Sequence, residues 1–117
     1  MSNYLELFKN LQITKEELQK ELGMNLHIIQ IDKPITIYPM DIVHVLSAYR
    51  DNKISMNRLI DWVNTVWFTD LFEYVEEYSS SIASVMDKLE DLDEEGRFLD
   101  ESLINRYMDA LLKNEEV

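Results

Sequence analysis

The 117-residue chain has no cysteine. That excludes disulfides, thiol nucleophiles and zinc sites built on thiolates, and it fits a reducing cytoplasm. Glycine and proline occur only twice each, well below the roughly 7% and 5% of average usage. So few breakers, beside many Leu, Glu, Asp and Ile, favour helices. Long hydrophobic runs are also missing. The richest stretch, Leu59 to Phe72, is interrupted by Asp61, Asn64 and Asp70, and no window approaches the ~20 apolar residues of a membrane span. The N-terminal "MSNYLELFKN" lacks the basic region and apolar run of a secretory signal. A soluble, cytoplasmic protein is the expectation.

Positive charge is scarce: 11 Lys and Arg stand against 23 Asp and Glu, for a net charge of −12. The imbalance sits in one half. Residues 1–68 carry eight acids and seven bases, whereas residues 69–117 carry fifteen acids and four bases. A field of that sign repels nucleic acid and anionic membranes and attracts basic surfaces. It also serves solubility, but the asymmetry suggests a preferred face.

Apolar residues make up 46% of the chain, enough for a core in one domain spanning residues 1–117. "TKEE" at Thr14 to Glu17 reads as a capping box, and Gly23 as the left-handed end of the helix it opens. A short helix at Tyr4 to Asn10 precedes it. The period then changes: "LHIIQI" (26–31) and "ITIY" (35–38) are β-branched and read as a small β-hairpin. Helical spacing follows, with Ile42, Val45, Leu46 and Tyr49 at i, i+3, i+4, i+7. Four main helices are expected, roughly at 41–51, 55–75, 80–95 and 100–113, the second either bending near Phe68 or restarting as a short helix at Thr69. Ser55 and Asp100 are the N-caps of the second and fourth. The second, with apolar residues on more than one face, is the expected central helix. In the last, Leu103, Ile104, Tyr107, Met108, Leu111 and Leu112 are expected to face inward, and the tail "KNEEV" to fray. The fold class is therefore mainly α: a helical bundle at 41–113 with a helix-plus-hairpin subregion, residues 1–40, packed on it.

Candidate chemistry is thin. "DLDEEGRFLDES" (91–102) begins as a calcium loop does, with Asp91, Asp93 and Glu95 at positions 1, 3 and 5 and Gly96 at position 6. The chelating Glu of position 12 is replaced by Ser102, which removes the bidentate ligand. A corner between two helices, turned at Gly96 and capped by Asp100, explains the same residues more simply. His44 lies one helical turn from Asp41, but nothing locates further ligands for a metal. There is no phosphate loop, nucleophile elbow or H-E-x-x-H motif. No cofactor, no metal and no enzyme are expected. The aromatic run "DWVNTVWFTDLFEY" (61–74) holds more rings than one helix face buries. Core packing, part of it against the hairpin, is the first expectation for Trp62, Trp67, Phe68, Phe72 and Tyr74; the alternative is that one or two of them, with Tyr78, sit beside the acids as interface anchors.

"LSAYRDNKISMNRLIDWV" places a turn with "KIS" between two helices, and later an acidic helix leads into "LDEEGRFLDESLINRYMDALL". This order, over residues 42–112, resembles small acidic bacterial immunity proteins of the colicin-D type, and related uncharacterised Gram-positive families. The resemblance implies an inhibitor that binds a tRNA-cleaving toxin and covers its basic active site with acidic residues. The charge distribution is compatible with that on its own account. The candidate contacts are Asp70, Glu73, Glu76, Glu77, Asp91, Asp93, Glu94 and Glu95, with Tyr78 as an aromatic anchor. The competing readings are a structural or adaptor domain, dimerising through Trp62 and Trp67, and a phage-type nucleic-acid mimic.

Overall fold

The computed structural model describes residues 2–23, 33–95 and 99–117. Helix α1 (Ser2–Lys9) buries Leu5 and Phe8, one turn apart. Helix α2 (Lys15–Leu22) opens on the expected capping box: the Glu17 amide donates to Thr14 Oγ1 at 3.2 Å, and the Thr14 amide donates to Glu17 Oε1 at 3.0 Å. Gly23 closes it at φ 73°.

Strand β1 (Ile35–Ile37) leads directly into α3 (Pro39–Arg50), where Pro39 occupies the first turn and needs no hydrogen-bond partner for a missing N–H. The Asp41 carboxylate caps that turn by accepting the Tyr38 amide at 2.8 Å. Helix α4 (Met56–Phe68) starts at Ser55, whose hydroxyl accepts the Arg58 amide at 3.1 Å. Leu59, Trp62, Val63 and Val66 bury its inner face, each such side chain contributing about 1.5–3 kcal/mol. This is the central helix the sequence predicts. It is shorter than expected, ending at Phe68 and not near 75. Thr69 stops it: its hydroxyl donates to the Thr65 carbonyl at 2.6 Å, and the Leu71 amide then donates back to Thr69 Oγ1 at 3.4 Å. The chain leaves extended at Thr69 (φ −111°, ψ 163°) and forms strand β2 (Phe72–Tyr74).

β1 and β2 pair in parallel, Ile35 opposite Phe72, Thr36 opposite Glu73 and Ile37 opposite Tyr74. A parallel pair needs a long crossover, which α3 and α4 supply. The first arm of the expected hairpin, 26–31, lies outside the described residues. Its second arm is β1, whose partner in the structure is the distant β2.

A 3₁₀ turn (Glu76–Tyr78) joins β2 to α5 (Ser79–Glu95), which buries Ile82, Val85, Met86 and Leu89 at helical spacing. Asp100 caps α6 (Glu101–Lys113) by accepting the Leu103 amide at 2.8 Å. Helix α6 runs antiparallel to α3. The Arg50 guanidinium meets Asn105 at 3.1 Å, and the Ser47 hydroxyl approaches Met108 Sδ at 3.4 Å. Ile104, Tyr107 and Leu111 form the buried stripe of α6, whereas Leu112, expected inside, is 59% exposed. It follows Leu111 by about 100° around the helix and so leaves the stripe.

The tail, expected to fray, carries hydrogen bonds to α5 and the turn before it. Asn114 caps α6 in the left-handed region (φ 56°). Its side-chain amide donates to the Glu77 carbonyl at 3.1 Å, and its Oδ1 lies 3.0 Å from Ser81 Oγ. The Val117 amide donates to Ser84 Oγ at 2.8 Å. The tail is thereby held along α5. Gly96, the proposed corner, lies outside the described residues.

Candidate protein-binding face

Asp70 is exposed in the turn that ends α4. Glu73, at the middle of β2, is exposed because alternate strand residues point to opposite faces and its neighbour Phe72 points inward. Glu76 and Glu77 are exposed on the 3₁₀ turn, and Tyr78 beside them is half-buried. These five expected residues fall within one continuous segment at the strand and the start of α5. No Lys or Arg occurs between Arg58 and Lys88, so no base within the segment offsets its carboxylates.

The other four expected contacts are not brought to the same place. Asp91 is half-buried on α5. Asp93, Glu94 and Glu95 belong to that helix's last turn, and their side chains lie outside the described residues. At 1.5 Å per residue, Asp91 sits about 18 Å along α5 from Ser79. The acids thus divide into a group at the start of α5 and a group towards its end.

The aromatic run divides as well. Trp62 is 1% exposed and its indole N–H donates to the Lys9 carbonyl at 3.1 Å, tying α4 to α1. It is core, which removes it from the dimer surface considered above. Phe72 is also core, its ring 6.1 Å from that of Phe8. Trp67 is half-buried. It meets Phe68 edge-on at 6.3 Å and leans on Tyr74 at 6.1 Å. Phe68 remains 50% exposed, adjacent to Asp70. Burial pushes the Tyr74 phenol well above its ordinary 10.0, and like any tyrosine it is an uncharged ring at neutral pH. Val66, Trp67, Thr69, Phe72, Glu73 and Tyr74 line a cleft of about 240 Å³.

A second depression, about 230 Å³, lies where the start of α3, the end of α6 and Tyr78 meet. Its exposed apolar residues, Tyr38, Met40 and Leu112, were not singled out by sequence reasoning. The helical spacing of α6 predicts Leu112 inside, and no local pattern marks the other two. Among the described residues no group of three His, Asp or Glu side chains is arranged to hold a metal ion. Asp41, considered with His44, is instead occupied by the Tyr38 amide and by Lys9 Nζ at 3.6 Å. His27 lies outside the described residues. No helix among those described is long and apolar enough to cross a membrane. Compared with protein-family models, with curated proteins and with solved structures, the chain matches none.

Proposed function

We propose that the protein is a non-enzymatic, acidic binding module, and that it acts as an immunity-type inhibitor covering the basic active site of a nuclease toxin. The observation that carries this reading is the segment from Phe68 to Tyr78. It exposes Asp70, Glu73, Glu76 and Glu77 beside the exposed ring of Phe68 and the half-buried ring of Tyr78, with no base interleaved. A nuclease must present Lys and Arg to grip phosphates. Carboxylates at comparable spacing occupy the same cations, and complementary fields speed encounter. Aromatic rings among the charges supply contact area that the charges do not.

The test is co-expression with a nuclease domain encoded beside this protein, then stopped-flow association of the purified pair. Glu73→Gln, Glu76→Gln and Glu77→Gln combined should slow association at least about tenfold near 50 mM NaCl. The difference should shrink near 500 mM, where the screening length falls towards 4 Å. A complex whose formation rate ignores both the substitutions and salt would sink the proposal.

A further inference from the structure

We infer that the groove between the start of α3 and the end of α6 seats one apolar side chain of a Lys- and Arg-bearing segment of the protein partner. The inference rests on the reading above and adds where the partner's anchor residue goes. Among the described residues four large apolar side chains stand out as exposed: Tyr38 at 51%, Met40 at 60%, Phe68 at 50% and Leu112 at 59%. Three of them line this one depression, with Pro39, Leu111 and Tyr78 completing it. Scattered exposed apolar residues need no explanation, but clustered ones do. The walls are built before any partner arrives. Leu111 and Pro39 are buried, and α3 and α6 are joined further along by the Ser47–Met108 and Arg50–Asn105 contacts. Met40 adds an adaptable wall.

Charge selects the occupant. Exposed Glu76 and Glu77 immediately precede Tyr78, and exposed Glu115 and Glu116 follow α6. The Asn114–Glu77 hydrogen bond holds these two acidic pairs together. Among the described residues, the two lysines next to this region each stand beside carboxylates that offset their charge, Lys113 by Asp109 at 3.1 Å in an exposed pair and Lys9 by Glu6 and Asp41 at 3.3 and 3.6 Å. An apolar pocket whose walls are followed or preceded in the chain by exposed acids fits an apolar residue flanked by cations. It disfavours a second copy of this chain, which would bring the same rim and another net charge of −12. The chain's own tail is directed elsewhere, with Val117 bonded to Ser84 on α5.

The test uses two short peptides with identical Lys and Arg content, one with a central Phe and the other with Ala there. Each is titrated into the full-length protein, followed by NMR. The Phe peptide should bind about tenfold tighter and shift the resonances of Met40, Tyr78 and Leu112. Met40→Ser and Leu112→Ser, both at exposed positions, should reduce its affinity to that of the Ala peptide and leave the Ala peptide unchanged. Circular dichroism confirms that the variants are folded. Equal affinity for both peptides, with shifts confined to the acids, would overturn the groove inference and leave the acidic-face reading standing. Absence of any shift at Glu73, Glu76 or Glu77 with either peptide at low salt would count against both. Shifts in the groove that track protein concentration, with a doubled mass in sedimentation, would assign it to a second copy and overturn the inference.

Discussion

Gly23 ends α2 at φ 73°, and a Cβ built there meets nothing within 4 Å. Any cost of a side chain is therefore purely conformational. Gly23→Ala should lower stability by about 1 kcal/mol, and Gly23→Asn by less, since Asn tolerates the left-handed region better. Urea unfolding of the pair checks the order, and equal losses would show that the backbone is not the cause. Asn114 occupies the same region at φ 56° but also bonds to Glu77 and lies against Ser81. Asn114→Gly keeps the conformation and loses the side-chain bonds, for about 1 kcal/mol. Asn114→Ala loses both, for about 2 kcal/mol. Amide exchange at Val117 should rise in both variants, because Asn114 starts the tail on its path. Tyr74 gives a pH signature. Its folded phenol titrates above the unfolded value of 10.0, so above that value the unfolded chain releases its proton first. Stability from this group is intact below pH 10 and falls as pH rises beyond it. Tyr74→Phe should flatten that alkaline decline in a series of melts. A decline of unchanged steepness would assign it to other groups.

At the scale of elements, the junction of α4 and β2 shows what local sequence does and does not carry. The N-caps Thr14, Ser55 and Asp100 and the apolar stripe of α3 were legible, since each depends on residues three or four apart. The strand after Thr69 was not, since the sequence offered only a bend or a new helix there. Helix and strand compete over "FTDLFEY", and three strand residues are too few to set a period of two. The decision comes from β1, more than thirty residues earlier, which offers backbone partners: the Ile35 amide donates to Leu71 O and the Val75 amide to Ile37 O, both at 3.0 Å. The acids of the face were legible as residues, but that strand is what separates Glu73, facing out, from Phe72, facing in. The groove was illegible for a similar reason, because its walls come from α3, α6 and the 3₁₀ turn. Thr69→Val, nearly isosteric, removes the hydroxyl that links Thr65 O and the Leu71 amide in a buried turn. It should cost about 1–3 kcal/mol, with Thr69→Ser close to the parent. Denaturant melts followed by tryptophan fluorescence give the comparison, and a silent Thr69→Val would mean that β1 alone fixes the turn.

The whole molecule carries its charge unevenly, and this has a consequence that requires no partner. A net charge of −12 on 117 residues opposes the compact state by self-repulsion. Among the described residues the pairs that offset it are mixed: Lys9 meets Glu6 and Asp41 in a largely covered group, whereas Lys113–Asp109 at 3.1 Å has both side chains 60% exposed and Arg50–Asp51 at 3.5 Å joins partly exposed neighbours. Exposed pairs of this kind contribute little. Repulsion among many like charges therefore outweighs attraction within a few pairs, and moderate salt should stabilise the fold by screening. Raising NaCl from about 10 mM to about 300 mM shortens the screening length from roughly 30 Å to under 8 Å. The melting temperature should climb by several degrees, each kcal/mol being worth about 4 °C at this chain length. Glu76→Gln with Glu77→Gln should make the protein more stable at low salt and reduce the slope against salt, because two of the crowded charges are gone. The same substitutions are expected to slow association with a basic partner, so stability and binding would move in opposite directions. A melting temperature that is flat or falls with salt would mean that the attractive pairs dominate, and that the acidic half is not held at an energetic cost.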